Sequence, residues 1–412
     1  MNEPSFQRSD CRLCLSKSLA LALPMLPTPL ADAFVTQDKA AEKQPLFPLD
    51  LYLCEDCGHV QLNEVVKPEV LYKNYLYETS SSAGLVKHFE TFAADTARRL
   101  DVSASFKVVD IGSNDGSLAL AFKNLGAKVL GVEPGERVAQ KARERGIETT
   151  HDFFSLEVAT QISSTFGQAD LITAMNVFAH VDDLSGMAEG IARLLSSKGL
   201  FVFEVSYLPD IFRNFLFDTI YHEHLSYHSI RPLADFFKRH GLELIEVERL
   251  PTKGGSFRGT VQKQGGKWPL SAHVRGWIAG EEASGWHQVE RYHAFGQEIA
   301  NRGDRFREML IPYRRIAGYG ASHTTTTLLY QWDLGRHLGK LFDDNPAKQG
   351  LLSPGFHLKV DSSDEIYQEK VDAIVLLAWQ FQDAIVARHT KFLNQGGVFL
   401  IPLPEPGRIS GC

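Results

Sequence analysis

The feature that most constrains this chain is a short β-branched run that breaks into a glycine turn. Residues 107–111 read Lys-Val-Val-Asp-Ile, and the turn Gly112–Gly116 follows before a helical pattern over residues 117–125. A second run, Lys128–Val132, ends in the acid Glu133. Strands that alternate with helices predict an α/β fold with a parallel sheet. A glycine turn that opens a helix also predicts a ligand near free N–H groups.

The acid after the second run narrows the kind of ligand. In such a sheet Glu133 can accept both ribose hydroxyls of an adenosine cofactor. A dinucleotide fingerprint would read GxGxxG, but here Asn114 and Asp115 fill the space that a diphosphate needs. The turn resembles the first motif of S-adenosylmethionine-dependent methyltransferases, whose ligand carries an ammonium and a carboxylate instead.

Later segments follow the order of that family. Asp170–His180 resembles its fourth strand with the following turn, and Gly199–Val205 resembles its fifth strand. The resemblance implies a class I, Rossmann-like methyltransferase core with S-adenosylmethionine as methyl donor. The positions that it implies for cofactor binding are Gly112, Asn114, Asp115, Glu133, Asp152, Phe153 and Asn176.

Four of the five cysteines form two CxxC pairs, Cys11 with Cys14 and Cys54 with Cys57. Two such pairs complete a tetrahedral shell of four thiolates around one zinc ion. Disulfides are not expected in a cytoplasmic chain, and a redox CxxC would not need a second copy. A closed four-sulfur shell leaves no position for substrate, so the pattern predicts a structural zinc.

Composition bounds the class of protein. A chain of 412 residues is expected to form two or three domains. Its net charge of -7 argues against a general nucleic-acid binder. The sequence has no run of about eighteen apolar residues, so no membrane helix is expected. The apolar patch at Leu19–Leu23 lies behind two cysteines and is cut by Pro24, unlike a signal peptide. We expect a cytoplasmic protein.

The segment YHEHLSYH, residues 221–228, has the densest set of proton-handling side chains in the chain. It follows the carboxyl end of the predicted fifth strand, where open α/β sheets bind their ligands. His224 and His228 could share one helical face around a metal, but no further ligand is evident. A polar loop without chemistry is another alternative. Acid/base work is the interpretation that we favour.

Several motifs together narrow the resemblance. The four cysteines, the Ser-Asn-Asp glycine turn and the YHEH run resemble the sugar C-methyltransferases that act on nucleotide-linked deoxy-ketosugars. Tyr72–Ser82 and Lys253–Arg258 resemble further segments of that family, although Phe257 stands where its usual GGSLR has leucine. The resemblance implies His224 as the catalytic base. It places the other active-site positions at Tyr221, Glu223, His180 and Tyr75.

The implied chemistry suits these residue types. Carbon becomes a nucleophile when an adjacent ketone acidifies its hydrogen and a base with a pKa near about 7 removes it. A hydrogen-bond donor then stabilises the enolate oxygen. Histidine fits the first role and tyrosine the second.

A second glycine turn lies at Gly318–Ser322, ahead of an apolar helical pattern and of a predicted strand Gly339–Phe342 that ends in two acids. His323 stands where a dinucleotide fingerprint has its third glycine, so a second dinucleotide site is not expected. The resemblance implies that this part helps to hold the nucleotide-sugar, with its diphosphate at Ser322 and His323. The alternative is a unit that only packs.

We therefore predict three modules and a linker. These are a zinc-binding module over residues 1–75, a methyltransferase core over 76–265, a helical linker over 266–302 and a Rossmann-like domain over 303–412. The predicted reaction is carbon methylation of a nucleotide-linked keto-deoxysugar, with no nucleic-acid or membrane partner and a plausible monomer. The alternatives are an O- or N-methyltransferase of small molecules and a non-enzymatic binding module.

Overall fold

The computed structural model describes residues 3–71, 78–100 and 105–411, and its strands form four sheets within these ranges. The strands are β1 Ser5–Gln7, β2 Leu19–Leu23, β3 Leu51–Cys54, β4 Val60–Leu62, β5 Glu64–Val66, β6 Lys107–Ile111, β7 Lys128–Val132, β8 Thr149–Thr150, β9 Ala169–Met175, β10 Leu195–Ser206, β11 Ser226–Tyr227, β12 Leu242–Leu250, β13 Ser256–Lys263, β14 Ile316–Tyr319, β15 Leu341–Asp343, β16 Val360–Ser362, β17 Ala373–Leu376, β18 Val398–Ile401 and β19 Gly407–Ser410. The α-helices are α1 Pro68–Leu71, α2 Ala83–Leu100, α3 Ser117–Asn124, α4 Glu136–Glu144, α5 Leu156–Thr165, α6 Leu184–Leu194, α7 Leu208–Arg213, α8 Ile230–Arg239, α9 Ala272–Ala283, α10 Val289–Leu310, α11 His323–Gln331, α12 Gln382–Arg388 and α13 Thr390–Asn394.

The central sheet has seven strands in the order β12-β13-β10-β9-β6-β7-β8. Neighbouring strands from β10 to β8 are parallel, whereas β13 runs antiparallel to both β10 and β12. The residues of β6 are almost all buried, as expected for a parallel strand covered on both faces. The chain continues from β6 to β7 on one side and later adds β9 on the other. This change of direction creates a crevice at the carboxyl ends of β6 and β9.

The N-terminal sheet is antiparallel and has the order β11-β4-β3-β2. Its outer strand β11 comes from the YHEHLSYH segment, with Ser226 opposite Gln61 and Tyr227 opposite Val60. The YHEHLSYH segment therefore contains a short strand, because its backbone pairs with β4. This pairing anchors one end of the segment on the cysteine-bearing part of the chain.

The C-terminal sheet has the order β16-β15-β14-β17-β18-β19, and all its neighbours are parallel except β18 and β19. The expected second strand, Gly339–Phe342, begins two residues later, as β15. Between the central and C-terminal sheets the structure has two helices, α9 and α10, and α10 runs on to Leu310.

The amino end of α8 is capped by a residue far away in the sequence. Ser229 precedes the helix, but its side chain makes no capping hydrogen bond. Instead the carboxylate of Glu281, from α9, accepts the backbone N–H groups of Ile230 at 2.7 Å and Arg231 at 2.9 Å. A charged acceptor satisfies two free donors where a hydroxyl would satisfy one, so α9 rather than the local sequence caps α8.

The N-terminal and C-terminal sheets share one hydrophobic core with the segment after β10. Leu51, Phe217 and Trp332 belong to this core, and all three are fully buried. The rings of Phe217 and Trp332 lie 5.4 Å apart, and the Trp332 indole donates to the carbonyl of Ile299 at 2.9 Å. Burial of each such side chain stabilises the fold by about 1.5–3 kcal/mol. Packing around residues 208–220 thus fixes the position of the YHEHLSYH segment that follows.

Candidate active site

A cavity of about 570 Å³ opens at the carboxyl ends of β6 and β9. Five of the seven predicted cofactor positions line it, namely Gly112, Asn114, Glu133, Phe153 and Asn176. Because these residues come from four separate loops, the sheet brings together side chains up to about sixty residues apart. The cavity occupies the crevice where such sheets bind ligands.

The first turn needs its glycine. Gly112 has a φ of +67°, and a Cβ there would lie 2.3 Å from a methyl group of Val177. Asn114 has a φ of +49° and donates its N–H to a Glu133 oxygen at 2.8 Å. Its side-chain oxygen accepts the N–H of Thr79 at 2.9 Å. The turn therefore passes close to the cavity and is tied to the segment before α2.

Glu133 lines the cavity with a carboxylate fixed by backbone donors. One oxygen accepts from Asn114 and the other accepts from Gly135 at 2.8 Å. Burial raises the pKa of Glu133, and the two backbone hydrogen bonds oppose that shift. Each oxygen keeps a lone pair for a ligand hydroxyl, so the residue fits the ribose of an adenosine cofactor.

Two predicted cofactor positions lie elsewhere. Asp115 accepts from the N–H of Ser80 at 2.8 Å and from the hydroxyl of Ser117 at 2.6 Å. It also pairs with Arg145 at 3.2 Å, so its carboxylate holds the turn together. Asp152 is exposed, and one of its oxygens accepts the N–H of Phe153. Neither residue lines the cavity, whereas Phe153 does.

Asp110 lines the cavity and was missed as a site residue by the sequence reasoning. Its carboxylate is buried in β6 and accepts the hydroxyl of Thr173 at 2.6 Å. Burial raises the pKa of Asp110 to about 7, against the effect of that hydrogen bond. The available signal was a single acid in an otherwise apolar strand that leads into the glycine turn.

The YHEHLSYH segment forms a stack of rings beside the cavity. The ring centroid of His224 lies 4.1 Å from that of Tyr221 and 5.1 Å from that of His180. Nδ1 of His224 donates to the carbonyl of Thr219 at 2.7 Å. Since a carbonyl oxygen only accepts, this contact fixes the tautomer and leaves Nε2 as a lone-pair acceptor.

Both stacked histidines are neutral near pH 7. Burial lowers the pKa of His224 to about 3, and repulsion from His180 adds to the shift. Burial likewise lowers the pKa of His180 to about 4. The imidazole of His224 is therefore available to take a proton, but its basicity is weaker than the value near 7 that we expected.

Glu223 contacts a residue of the C-terminal sheet region. Its Oε1 lies 3.3 Å from Nε2 of His323, the first residue of α11, and Asp32 lies 3.9 Å from the same nitrogen. Burial alone would raise the pKa of Glu223, but the contact with His323 lowers it to about 2. Burial would lower the pKa of His323, but Glu223 raises it above its ordinary value. The sequence analysis placed the substrate diphosphate at Ser322 and His323, but it did not predict the contact of His323 with Glu223.

The predicted catalytic side chains face different spaces. His180 lines the 570 Å³ cavity, whereas Tyr221 and Glu223 line a smaller cavity of about 150 Å³ bounded by Asp32 and Phe34. His224 lies between them in the ring stack. Tyr75 lies outside the described residues, so its predicted role stays a prediction.

The other two histidines of the segment have structural contacts. His222 donates to the carbonyls of Phe47 and Pro48, and His228 donates to that of Phe178. In the described ranges, the groups of side chains close enough to share a metal include none of these histidines. The metal alternative for this segment has no support in the geometry.

The four paired cysteines do form such a group. Their sulfurs lie within 4.8 Å of one another, with Cys11 and Cys57 at 3.6 Å and Cys14 and Cys54 at 3.5 Å. Sulfurs about 2.3 Å from a tetrahedral zinc ion would be about 3.8 Å apart. The donor set fits zinc and leaves no open coordination position, so its role is to hold β3 and the N-terminal loop together.

Comparison with family models finds three matches along the chain. Residues 83–247 match a model described as a methyltransferase domain, residues 11–72 match one described as a zinc binding domain, and residues 251–404 match a C-methyltransferase C-terminal domain. The first match and the strand order confirm the predicted class I methyltransferase fold and its S-adenosylmethionine ligand. The second match and the cysteine geometry confirm the zinc-binding prediction.

Individual proteins show the same likeness. C-methyltransferase NovU of Streptomyces niveus is 31% identical over 406 residues, which span 97% of this chain and 97% of that protein. The ubiquinone biosynthesis O-methyltransferase of Bordetella avium (strain 197N) is 30% identical over 151 residues, or 33% of this chain and 62% of that protein. The solved structure of an S-adenosylmethionine-dependent methyltransferase from Clostridium acetobutylicum ATCC 824 has 13% identity and a TM-score of 0.35, and the match covers 48% of this chain and 96% of that protein's chain.

No helix among the described residues is long and apolar enough to cross a membrane.

Proposed function

This chain belongs to the C-methyltransferase family, and from that premise we propose that it methylates the carbon beside the ketone of a nucleotide-linked deoxysugar. In this proposal His224 removes the proton, while Tyr221, Glu223 and His180 complete the site. The observation that carries the proposal is the fixed tautomer of His224. Its Nδ1 is committed to Thr219, so Nε2 presents a lone pair within the ring stack beside the cofactor cavity.

The cofactor cavity suits S-adenosylmethionine. Glu133 offers acceptors for the ribose, and the turn at Gly112 and Asn114 offers backbone at close approach. When bound, S-adenosylmethionine supplies an electrophilic methyl group to a nucleophilic carbon. The part left to the chain is to create that nucleophile and to orient it.

An open cleft beside the cavity supports a nucleotide-linked substrate. The cleft has a volume of about 930 Å³ and lies between the central sheet and the C-terminal segment. Its lining includes the cationic side chains Arg213 and Arg302, which suit a diphosphate. It also includes Trp379 and Phe381, and Phe381 is 66% exposed, as a ring that stacks on a nucleobase would be. Because Lys253 lines the cleft and the cofactor cavity, a ligand in the cleft can reach toward the donor.

Because the pKa of His224 is lowered, other groups of the site must help to stabilise the enolate. Burial lowers the pKa of His224 and makes it a weaker base, so proton removal from carbon is favoured when the resulting enolate is stabilised. Positioned donors and cations supply such stabilisation where charge develops. The mechanism therefore needs an anion-stabilising group close to His224 and to the cofactor cavity.

The test is a panel of 4-keto-6-deoxyhexoses linked to thymidine, uridine, guanosine and cytidine diphosphates. We expect one member to gain a methyl group from S-adenosylmethionine, with the product mass and the carbon position read by mass spectrometry and NMR. The matched controls are the same sugars with the ketone reduced to a hydroxyl, because they have no acidic carbon. Methylation of the reduced sugars on oxygen would contradict the proposal, and so would failure of the chain to bind S-adenosylmethionine.

A further inference from the structure

Lys253 lies in the loop between β12 and β13 in an unusual backbone conformation. Its φ is +53°, and Gly254 and Gly255 after it have φ values of +82° and +138°. A Cβ at Gly254 would lie 2.7 Å from Leu216, and one at Gly255 would lie 2.5 Å from Asp210. A left-handed lysine costs about 1 kcal/mol or more and persists where its surroundings fix it. The two glycines let the loop pack closely and so hold the lysine in place.

Lys253 lines the cofactor cavity together with His180. It is the one lysine or arginine among the described residues that line the cofactor cavity. Its charge acts on both His180 and His224, and the charges of Glu223 and Glu204 act on it. The Lys253 residue as a whole is exposed, and the protein around its ammonium lowers its pKa while those two carboxylates oppose the shift. No hydrogen bond or ion pair joins its ammonium to another described residue, so the group is available to a ligand.

We propose that the Lys253 ammonium binds the ketone oxygen of the substrate and stabilises the enolate. This assignment rests on the proposed carbon methylation and deepens it. Tyr221 is less suited to the role, since it lines the smaller cavity beside Asp32 rather than the cofactor cavity. The enolate oxygen is one bond away from the carbonyl carbon that adjoins the reacting carbon. Its partner must therefore be near both the base and the methyl group, at the junction that Lys253 occupies.

The step balances as follows. Nε2 of His224 takes the proton from the carbon, and the electrons of that C–H bond form a carbon–carbon double bond. The ketone π electrons move to oxygen, where Lys253 faces the negative charge. The enolate carbon then bonds to the donor's methyl group, while the electrons of the broken carbon–sulfur bond stay on sulfur and the ketone re-forms. The proton on His224 leaves to solvent.

Deuterium exchange separates enolate formation from methyl transfer. The probe is the panel sugar with the highest wild-type turnover, incubated in deuterated water with S-adenosylhomocysteine so that no methyl group is available. We expect Lys253→Met to lose both exchange and methylation by roughly 10²–10³-fold, the usual effect of removing one oxyanion donor. Lys253→Arg should keep part of both rates because it keeps the charge. Lys198→Met changes an exposed lysine near the amino end of β10, away from the carboxyl ends of the strands, and should match wild type.

Binding measurements distinguish the other roles of a cation at this place. Calorimetry should give Lys253→Met unchanged affinity for S-adenosylmethionine, which also shows that the variant is folded. A tenfold loss of that affinity would overturn the proposal in favour of a contact with the cofactor carboxylate. A raised KM with unchanged kcat and unchanged exchange would overturn it in favour of a diphosphate contact. Lys253→Gly, which suits the positive φ, provides a second charge-removing variant and should behave like Lys253→Met.

The outcome for wild type separates this inference from the function on which it rests. If wild type neither exchanges nor methylates any ketosugar of the panel, the carbon-methylation proposal fails and this assignment falls with it. If wild type does both and Lys253→Met retains them, the function stands and only the role of Lys253 is wrong.

Discussion

The glycine turns at Gly112–Gly116 and at Gly318–Ser322 each join a parallel strand to a helix, and each faces an acid at the end of the next strand. Glu133 accepts the N–H of Asn114 at 2.8 Å, and Asp343 accepts the N–H of Ala321 at 2.6 Å. In both places a carboxylate thus satisfies a backbone donor of the turn. The local chemistry of the two turns is closely similar.

The space above the turns is different. The first turn lines the 570 Å³ cavity. Above the second, the ammonium of Lys348 donates to the Ala321 carbonyl at 2.7 Å and pairs with Asp32 at 3.1 Å. A Cβ at Gly320 would lie 2.7 Å from Ala378. Side chains of the protein itself therefore contact the second turn, whereas the first turn faces a cavity.

The strands that lead into the turns also differ. Asp110 precedes Gly112 by two residues, and Gly318 precedes Gly320 by two residues. A Cβ at Gly318 would lie 2.6 Å from side-chain carbons of both Leu341 and Leu377, so that position is closed by packing. The two turns therefore differ in the space that neighbouring side chains leave beside them. The second turn instead presents His323 to Glu223 in the active-site segment.

The largest expected effect concerns His224, whose ring lies against those of His180 and Tyr221. His224→Asn should keep the fold and the cofactor affinity but lose methyl transfer by roughly 10²–10⁴-fold, the usual effect of losing a positioned base. Single-turnover kinetics and deuterium exchange with the ketosugar measure the loss. Near-normal turnover in His224→Asn together with an inactive His180→Asn would transfer the role of base to His180.

Local features of the two glycine turns and of the strands beside them could be predicted from the sequence. The sequence predicts a strand over Lys128–Val132, and β7 spans the same residues. It also predicts both glycine turns. Apolar periodicity and glycine placement are properties of neighbouring residues, so a single sequence reveals them.

The contacts between distant residues could not be predicted in the same way. Glu223 meets His323 across a hundred residues, and Lys253 reaches the cofactor cavity only because β12 and β13 extend the central sheet. Family order implies a cofactor contact for Asp152, whose side chain is exposed and does not line the cavity. These positions depend on tertiary packing, for which periodicity has no signal.

The next largest effect compares the two acids. Glu133→Ala should weaken S-adenosylmethionine binding by roughly 10- to 150-fold, because a ribose without its charged acceptor loses about 1.5–3 kcal/mol. Asp343→Ala should leave that affinity unchanged and lower only the thermal stability. Isothermal calorimetry and thermal unfolding of both variants provide the measurement. Equal losses of cofactor affinity in the two variants would contradict the contrast between an open and a filled turn.

A smaller effect is expected from the ion pair that joins the second turn to the site. His323 has a raised pKa, so its contribution is complete below about pH 6.5 and is lost as pH rises through the folded-state pKa. Glu223 has a lowered pKa, so its contribution is complete above about pH 4.5 and is lost as pH falls toward about 2. His323→Gln should therefore lower Tm by a few degrees near pH 6 and by less at pH 9. A Tm difference that is the same at both pH values would show that the pair does not titrate as described.

The smallest effect concerns Asp110, the buried acid of β6. The corresponding position in β14 is Gly318. The pKa of Asp110 is raised to about 7, so without cofactor the fold should lose stability as pH rises from about 4 through 7. S-adenosylmethionine carries a net positive charge, which favours the ionised carboxylate. Its affinity should therefore rise by about tenfold between pH 6 and pH 8 as Asp110 gives up its proton. Calorimetry in two buffers of different ionisation enthalpy should detect proton release on binding near pH 6.5. Asp110→Asn should flatten both the affinity profile and the proton release, whereas an unchanged profile in that variant would assign the titration to another group.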